Sequence, residues 1–534
     1  MTSSSRPLYE KLLAGGVPTP PTKPPRASAS VIPWRQGANG VEVYWVRRSP
    51  ELAFMGGWHA FPGGGMSRRD AGVHVAGEPG GQAPDGWTAP LPGLDESARE
   101  QLGPDLPPGI LACALRELFE EIGILPVTSE SDLPAEDVLA GAQQSLLNKD
   151  KDFATVLADL DLVPNAGDLV FAGRWMTPPL APMRFDNRFF LLEWSPERQL
   201  QPQVIPGELA DGEWIAPSAA LARWKAAEVI TAPPILHLLR VLAEDGPIDG
   251  LSRLVDPEEA DIGPMRRIEF RPGVILLPLR TATLPPATHT NSYLFGREEV
   301  VLVDPAPDDP AEIDVLRQAV AAAQSQGRRV RAIWLTHHHA DHIGAVAALR
   351  EMLNVPVLAH EKTAARLQAF GLSMDGELQD DERVVLGEDF AVRVLHTPGH
   401  TRGHLAFYDE THGSLLIGDL IAGIGTIVVD PPEGDMDEYL ASLERMIELA
   451  PRTLFPGHGP AQLQAVAKLT EYRDHRLWRE ARILKAYRGG AKTPAEILPL
   501  AYDDVPPQVH PIAERQLLAH LERLRHHGDL EEGR

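Results

Sequence analysis

The stretch Thr336-His337-His338-His339-Ala340-Asp341-His342 decides how this chain is interpreted, because it concentrates imidazole and carboxylate side chains within seven residues. The apolar run Val330 to Leu335 before it predicts a buried strand, and the Ala/Leu-rich pattern Ile343 to Leu353 after it predicts a helix. The stretch is therefore expected on a strand-to-helix turn, at the carboxyl end of a sheet. Imidazole nitrogen and carboxylate oxygen are ligands of zinc and similar divalent ions, so the sequence predicts a metal site.

The spacing within this stretch predicts two ligand positions. His337 and His339 are separated by one residue and are expected to point into one pocket. Asp341 and His342 are expected to face a second point nearby. His338 occupies the spacer position, so we expect it to point outward or to support a ligand.

Three later segments repeat the combination of a hydrophobic strand and a polar turn that carries a ligand-type residue. They are His396-Thr397-Pro398-Gly399-His400-Thr401-Arg402-Gly403-His404, Leu415-Leu416-Ile417-Gly418-Asp419 and Leu454-Phe455-Pro456-Gly457-His458-Gly459. Four such segments in one region predict that they converge on one metal centre.

In order and spacing, these segments resemble the H-x-H-x-D-H, H-T-P-G-H, G-D and G-H motifs of the metallo-β-lactamase-fold hydrolases, over roughly residues 275 to 460. The resemblance implies an αββα sandwich with two zinc ions, which together activate water and polarise the bond being cleaved. It implies the first-metal ligands His337, His339 and His400, the second-metal ligands Asp341, His342 and His458, and the bridging carboxylate Asp419. Asp341 is also the predicted catalytic residue. His396, His404 and the isolated His360 match no ligand position and are expected to support a ligand or to pack, with contact to substrate as the alternative for His404.

A second chemical signature is the helical segment Arg116 to Ile124. Its acids Glu117, Glu120 and Glu121 lie at i, i+3 and i+4 and share one helical face. Carboxylates so close repel one another unless a cation lies among them, which favours magnesium or manganese. A solvated acidic face is the alternative.

Upstream, the glycine loop Trp58 to Gly65 and this helix together resemble the two halves of a Nudix box. Asp70 stands where the family has glutamate, and forty-five residues instead of seven separate it from Arg116. These departures, with the later run Met183 to Phe190, resemble the coenzyme A diphosphatase branch of nucleoside-diphosphate-linked moiety X type 19. The resemblance implies that Glu117, Glu120 and Glu121 bind metal or activate water, with Glu120 and Glu121 catalytic, and that Arg116 orients a neighbouring acid. Asp70 is not predicted to be a ligand.

The tail after Gly459 is predicted to form helices at Leu463 to Tyr487 and Ile512 to His526, with a short capped helix after Thr493. This order resembles the winged-helix-like carboxy-terminal domain of the lactamase-β-like protein 2 subfamily, whose members are associated with endoribonuclease activity. RNA is therefore a candidate partner. Basic residues recur along the first helix and predict a positive stripe or, alternatively, a solvated face with ion pairs: Arg473, Arg476, Arg479, Arg482, Lys485 and Arg488.

Composition limits the remaining choices. The net charge of −25 over 534 residues argues against a wholly basic nucleic-acid-binding surface and leaves room only for a local patch. No apolar run approaches the roughly eighteen residues needed to cross a membrane, and Met1 to Ala27 lacks the apolar core of a signal peptide. The single cysteine, Cys113, is expected to be buried and fits a reducing cytoplasm.

The predicted organisation is a multidomain α/β protein, in which a Nudix-like α/β/α sandwich precedes the metallo-β-lactamase sandwich and a small winged-helix-like α-rich domain. The boundaries are a Pro/Ser-rich leader at 1–27, a Nudix-like domain at 28–255 with an insertion at about 67–108, a linker at 256–272, the metallo-hydrolase domain at 273–460 and the terminal domain at 461–534.

Two functional hypotheses follow. In the first, a dinuclear zinc site cleaves a phosphodiester, thioester or related ester, and a magnesium-dependent Nudix site cleaves a nucleoside diphosphate derivative. The expected substrate is a small anion, and acyl-coenzyme A would serve both sites. In the alternative, the Nudix-like half is a non-catalytic ligand sensor and the terminal domain is a nucleic-acid adaptor for one endoribonuclease-like metal site. Oligomeric state is not predicted.

Overall fold

The computed structural model describes residues 25–52, 55–80, 107–128, 133–177, 184–196, 199–255 and 268–530. The chain separates into two compact units, one ending at Pro272 and the next beginning at Gly273. Most of the predicted leader, most of the insertion and most of the linker lie outside the described residues.

The first unit is built around a seven-stranded mixed sheet. The central strands follow the order β3-β2-β1-β6-β5, with β4 paired to β1 and β7 to β2. β1 and β6 are parallel, and the remaining pairs are antiparallel. The strands of this sheet are Arg26–Gly37 (β1), Gly40–Arg48 (β2), His59–Ala60 (β3), Gly63–Gly65 (β4), Leu169–Met176 (β5), Phe185–Glu193 (β6) and Leu209–Ile215 (β7). One more strand at the end of the unit, Ile268–Arg271 (β8), is not part of this sheet.

Helices cover both faces of this sheet. Along β1, Ala29 and Val31 enter one core with the helix that carries the acidic residues, whereas Ile32 and Trp34 enter the opposite core. This arrangement is the predicted α/β/α sandwich. The helices are Ile110–Ile122 (α1), Glu136–Leu147 (α2), Phe153–Leu160 (α3), Pro217–Lys225 (α4), Pro233–Glu244 (α5), Gly246–Asp249 (α6) and Leu251–Val255 (α7). Cys113 lies fully buried on α1.

One helix predicted from the sequence of this unit is divided into two helices in the structure. The pattern Ser218 to Leu239 predicts a continuous helix, but α4 ends at Lys225 and α5 begins at Pro233. Ala227 adopts a positive φ of 55°, and Pro233 lacks the N–H that a helix interior needs. Because proline also disfavours helical backbone in the residue before it, the chain breaks here.

The second unit contains two sheets. β9 to β14 lie side by side in the order 14-13-12-11-10-9, and β15 to β19 follow chain order. The strands are Val274–Arg280 (β9), His289–Gly296 (β10), Glu299–Val303 (β11), Arg329–Trp334 (β12), Val357–Ala359 (β13), Gly376–Glu377 (β14), Arg383–Val385 (β15), Ala391–His396 (β16), Leu405–Asp409 (β17), Ser414–Gly418 (β18) and Thr453–Pro456 (β19).

The two sheets pack face to face, and helices cover their outer faces. The ring of Trp334 on β12 lies 5.0 Å from that of Phe407 on β17, and Phe295 meets Phe390 at 5.1 Å. Separate cores lie under the outer helices of each sheet, which makes the unit the predicted αββα sandwich. These helices are Pro310–Ser325 (α8), Ala340–Ile343 (α9), Val346–Leu353 (α10), Ala364–Gln368 (α11) and Met436–Leu449 (α12).

Three terminal helices complete the described chain: Ala465–Arg488 (α13), Pro494–Ala501 (α14) and His510–His526 (α15). They share a core that includes Ile483, Ile497 and Leu517. Thr493 and Glu496 form the predicted capping box at the start of α14. Among the described residues, helices long and apolar enough to cross a membrane are absent.

Candidate metal centres

The first group of potential metal donors consists of His337, His339 and His400. Nε2 of His337 and Nε2 of His400 each lie 3.0 Å from Nδ1 of His339. All three donor atoms lie within 4.8 Å of one another. Burial lowers the pKa of each imidazole, which favours the neutral form that binds a metal.

The second group consists of Asp341, His342 and His458, whose donor atoms also lie within 4.8 Å of one another. Oδ2 of Asp341 lies 3.6 Å from Nε2 of His458. His342 is fully buried, whereas the Asp341 side chain keeps 12% of its surface exposed. Asp341 therefore has the solvent access that a residue acting on water requires.

Asp419 lies between the two groups. Its Oδ1 is 3.6 Å from Nε2 of His342, and its Oδ2 is 3.3 Å from Nε2 of His458 and 3.8 Å from Nε2 of His400. The structure thus brings together all seven residues that the sequence motifs suggested. The six-residue H-x-H-x-D-H motif divides as expected, with the two outer histidines of its first half in one group and Asp341 and His342 in the other.

The donor set is suited to divalent cations. Among the described residues, His342 Nε2 and Asp419 Oδ1 are buried without a hydrogen-bond partner, although both point into the cluster. Unpaired buried polar atoms are costly, and a cation between them would remove that cost. Nitrogen and carboxylate oxygen are also the donors that zinc prefers.

The electrostatic environment of Asp419 and His342 favours a positive charge between them. Burial alone would raise the pKa of Asp419, but His458 and His342 outweigh it and hold that pKa well below its usual range. Conversely, Asp419 and Asp304 overcome burial and raise the pKa of His342 well above its usual value. The carboxylates therefore attract a proton or a metal ion into the second group.

Outer hydrogen bonds orient the imidazoles. Nδ1 of His342 pairs with Oδ2 of Asp304 at 2.9 Å, Nδ1 of His458 donates to the His289 carbonyl at 3.0 Å, and Nδ1 of His400 donates to the Val428 carbonyl at 2.8 Å. Each contact leaves the opposite ring nitrogen, Nε2, facing the cluster. Asp304 matches none of the sequence motifs and was not among the predicted site residues. Its only signal was an acid at the end of the apolar strand β11.

The remaining histidines lie around the cluster. His404 joins Thr397 through Nδ1 at 2.8 Å and accepts the Asp419 backbone N–H through Nε2 at 3.0 Å, so it holds Asp419 in place. His396 stacks on His360 with ring centroids 4.1 Å apart. His338 is buried in the structure, where the sequence allowed an outward position.

A further donor group lies on the surface and includes Asp437, His526 and His527. The Arg523 guanidinium already contacts Oδ1 of Asp437 at 2.8 Å. Because that cation occupies the carboxylate, we assign no metal to this group.

In the first unit, the predicted acids converge beside the glycine strand β4. The backbone N–H of Gly63 donates to Glu121 Oε2 at 2.8 Å. The Glu117 carboxylate lies directly over Gly64, where an added Cβ would come within 2.5 Å of Oε1. Burial raises the pKa of Glu117 to about 7 and that of Glu121 well above its usual value. Glu208, from the loop before β7, adds negative charge to both, and sequence reasoning had missed it.

Arg116 binds Asp70 and two of the helix acids. Its Nε and Nη2 lie 2.9 and 3.1 Å from the two oxygens of Asp70, and its Nη1 lies 2.7 Å from Glu117 Oε1 and 3.3 Å from Glu120 Oε2. Asp70 is nearly fully buried in this pair. Asp70, which stands where the Nudix box has glutamate, thus fixes the Arg116 guanidinium. Arg116 in turn contacts Glu120, the neighbour of Glu121 on the helix.

The run Met183 to Phe190 begins outside the described residues, and its described part contains buried ion pairs. Asp186 forms a buried two-point ion pair with Arg174, at 2.7 and 2.8 Å. The guanidinium of Arg188 lies 2.8 Å from the same carboxylate. The Asp186 carboxylate is thus shared by two buried guanidinium groups inside the unit.

Most of the basic side chains predicted to form a stripe on α13 pair with acids of the second unit. Arg476 and Arg479 are buried, with 3% and 4% of their surface exposed. Arg479 pairs with Asp504, and Arg473 and Arg482 pair with Glu444 and Asp503. The helix therefore lacks the continuous exposed positive surface that its sequence suggested, because the long side chains turn back to acids and carbonyls.

The fold and the donor groups define the class of protein as a metal-dependent hydrolase, and comparison with known families agrees. Residues 285–458 match the metallo-beta-lactamase superfamily, residues 12–242 match the NUDT19 Nudix domain, and residues 493–532 match the beta-lactamase associated winged helix domain. The chain belongs to the metallo-beta-lactamase superfamily, as a hydrolase fused to a Nudix domain.

Three relatives illustrate the likeness. The beta-lactamase-like protein 2 homolog of Drosophila melanogaster is 31% identical over 45% of this chain and 84% of its own length. The atrochrysone carboxyl ACP thioesterase of Aspergillus chevalieri is 33% identical over 41% of this chain and 68% of its own. The hydroxyacylglutathione hydrolase of Bdellovibrio bacteriovorus is 36% identical over 31% of this chain and 61% of its own.

Proposed function

We propose that the second unit is a dinuclear zinc hydrolase that cleaves an ester-type bond, with thioesters as its preferred substrates. The observation that carries this proposal is the pair of three-residue donor groups with Asp419 between them. In this assignment the ligands are His337, His339 and His400 at one position, Asp341, His342 and His458 at the other, and Asp419 at both.

Two divalent ions so held would supply Lewis-acid activation of water and of the scissile carbonyl. The residues of the chain would accept the proton that water releases and supply negative charge near the two metal positions. The partly exposed Asp341 accepts the proton of the attacking water at its carboxylate, and the buried Asp419 keeps its negative charge between the two positions. His404 accepts the Asp419 backbone N–H and so fixes the position from which the carboxylate extends.

The thioester preference is supported by relatives named as an ACP thioesterase and a hydroxyacylglutathione hydrolase. The internal pairing of the α13 arginines weakens the support for RNA as substrate.

The single cysteine supports a cytoplasmic location for the protein.

The test uses full-length protein freed of metal by a chelator and reloaded with zinc. We expect thiol release from acyl-coenzyme A or acyl-pantetheine only after reloading, and a loss of about 100-fold or more in the Asp419→Asn variant. The exposed pair of Arg317 with Asp314 offers a control, since Asp314→Asn leaves the cluster untouched. Cleavage of an RNA oligonucleotide without thiol release would contradict the thioester assignment.

A second function is favoured by the crowded carboxylates of the first unit. We propose that Glu117, Glu120 and Glu121 bind magnesium or manganese and that the site hydrolyses the pyrophosphate of a nucleoside diphosphate derivative such as coenzyme A. Two glutamates with raised pKa beside Gly63 and Gly64 support this, since a divalent cation would relieve their repulsion. Glu120 and Glu121 are the proposed catalytic residues.

Alanine at Glu120 or Glu121 is expected to abolish magnesium-dependent release of phosphopantetheine from coenzyme A. Glu136→Ala is the matched control, because Glu136 lies exposed at the start of the next helix. If the parent protein binds coenzyme A without hydrolysing it, the sensor hypothesis replaces this one.

A further inference from the structure

The loop between Asp419 and α12 connects the candidate metal cluster to the terminal helices. We call residues Ala422–Gly434 the Val428 loop. His400 Nδ1 donates to the Val428 carbonyl at 2.8 Å. That bond fixes which nitrogen of His400 carries the proton and turns Nε2 toward His339. The position of one backbone oxygen therefore sets the direction of a proposed ligand.

Two side chains from the terminal helices hold the peptide groups on either side of Val428. Nη2 of Arg476, on α13, donates to the carbonyl of Ile427 at 2.6 Å. Oε1 of Gln516, on α15, accepts the backbone N–H of Val429 at 3.0 Å. Both side chains are buried, with 3% and 6% of their surface exposed.

Further bonds tie the same loop to the same helices. Tyr472 on α13 accepts the Ala422 N–H at 3.1 Å and donates to its carbonyl at 3.0 Å. Arg515 on α15 pairs with Asp430 at 2.7 Å. The Val428 loop contains no helix or strand. In a helix or strand, backbone polar groups bond to one another. In the Val428 loop, several of them bond instead to side chains of the terminal helices.

The supports of the other proposed ligands have a different origin. His342 is held by Asp304, which directly follows β11, and His458 by the carbonyl of His289 on β10, so both supports come from strands of the first sheet or the residue next to them. Among these oriented imidazoles, His400 alone is held through a segment that the terminal helices fix. The first donor group should thus depend on those helices more than the second does.

We propose that Arg476 and Gln516 are positioning residues that make the terminal helical domain part of the metal site, by fixing the Val428 carbonyl that orients His400. The inference rests on the proposed function in one respect, that His400 binds a metal. It gives the terminal domain a role in the hydrolase that requires no nucleic acid. Loss of an outer hydrogen-bond partner of a metal-bound histidine typically costs 10- to 100-fold in metal affinity, and we expect an effect of about that size.

The experiment measures the affinity of the full-length protein for zinc by competition with a chromophoric chelator, together with its thermal unfolding. Gln516→Met and Arg476→Met remove the two bonds with little change of volume. We expect one zinc equivalent to weaken by about 10- to 100-fold and the other to change by less than about twofold. Arg476→Lys retains a donor for the Ile427 carbonyl and should recover most of the affinity.

Arg479→Met is the matched control. Arg479 lies one turn further along α13, is equally buried, and pairs with Asp504 away from the Val428 loop. Its loss should lower the unfolding temperature and leave both zinc affinities unchanged.

Three results would overturn the inference. They are unchanged zinc affinities in both methionine variants, an equal loss at both equivalents, and a loss in Arg479→Met as large as in Gln516→Met. The failure of the proposed function would look different, because the parent protein itself would then bind fewer than two zinc equivalents.

Discussion

Asp304 is the residue on which the geometry of the second donor group depends most. It is 1% exposed and adopts a positive φ of 46°. Its carboxylate accepts the Thr336 N–H at 2.7 Å and the Thr336 hydroxyl at 2.6 Å, and pairs with His342 Nδ1 at 2.9 Å. A backbone held in this sparsely populated region indicates that the surrounding contacts determine it.

The first prediction concerns Asp304→Asn. The amide cannot accept all of these bonds, so a donor would face Thr336 or His342. We expect the affinity for one of two zinc equivalents to fall by about 10- to 100-fold, measured by chelator competition. Asp308→Asn is the control, since Asp308 is exposed in the following turn. Equal zinc binding in both variants would contradict the role of Asp304.

The second prediction concerns pH and Glu117. Burial raises the pKa of Glu117 from 4.5 to about 7, despite the neighbouring Arg116. Between these values the folded protein keeps a proton that the unfolded chain releases, so the free energy of unfolding falls as pH rises through this window. In metal-free protein, the unfolding temperature should decrease from about pH 5 to about pH 7, and Glu117→Gln should reduce that decrease.

Magnesium provides the check on this second prediction. At about pH 7.5 magnesium should stabilise the parent protein, because ligands that bind only the folded state raise its stability. It should have little effect on Glu117→Gln, because that variant lacks one of the proposed ligands. A variant that retained the full pH dependence of the parent would contradict the assignment.

At the scale of elements, the turn between β16 and β17 packs Gly399, the neighbour of His400, against helix α12. Gly399 has a φ of 128°, and an added Cβ would lie 2.2 Å from the Cα of Tyr439. The clash is with helix backbone, so it cannot be relieved by rotation of a side chain. Glycine is therefore required where the H-T-P-G-H motif has it.

The third prediction compares two glycine substitutions. Gly399→Ala and Gly327→Ala both force alanine into positive φ, which costs about 1–3 kcal/mol. Only Gly399→Ala also displaces α12, since no atom lies within 4 Å of a Cβ at Gly327. We expect a markedly lower unfolding temperature and weaker zinc binding in Gly399→Ala alone. Similar results for the two variants would show that the contact with Tyr439 is unimportant.

The sequence predicted the sandwich folds and the groups of potential ligands because these signals are local. A motif such as His337 to His342 carries its strand, its turn and its donors in one stretch. The break between α4 and α5 was missed although Pro233 and Pro234 were visible, because the apolar pattern continues across them.

The supporting contacts could not be predicted in the same way. The Val428 carbonyl has no side-chain signal, and Gln516 lies 87 residues from the backbone N–H that it accepts. Likewise, Arg479 appeared as part of an exposed stripe, but its partner Asp504 comes from a loop after the next helix. Such pairings depend on tertiary packing, which no short pattern records.

At the scale of the whole molecule, the two donor sets belong to separate compact units. Asp419 and its neighbours lie after Gly273, and Glu121 lies before Pro272. Each unit has its own cores and its own donors. Both families are metal-dependent, so one chain carries two candidate metal sites.

The fourth prediction follows from this division. Asp419→Asn should abolish zinc-dependent thioester cleavage and leave magnesium-dependent pyrophosphate cleavage within about twofold of the parent, and Glu121→Gln should do the reverse. Both activities are measured on the same protein preparations, with thiol and phosphopantetheine as separate products. A variant that lost both activities while remaining folded would contradict the assignment of one reaction to each unit.

The dinuclear centre itself is tested most directly by the zinc content of purified protein after dialysis against a weak chelator. Two tightly bound zinc ions per chain are predicted for the parent, with fewer than two in the Asp419→Asn and His400→Ala variants and an unchanged content in Glu121→Gln. A parent protein that retained one zinc ion or none, yet hydrolysed its thioester substrate at full rate, would contradict the account.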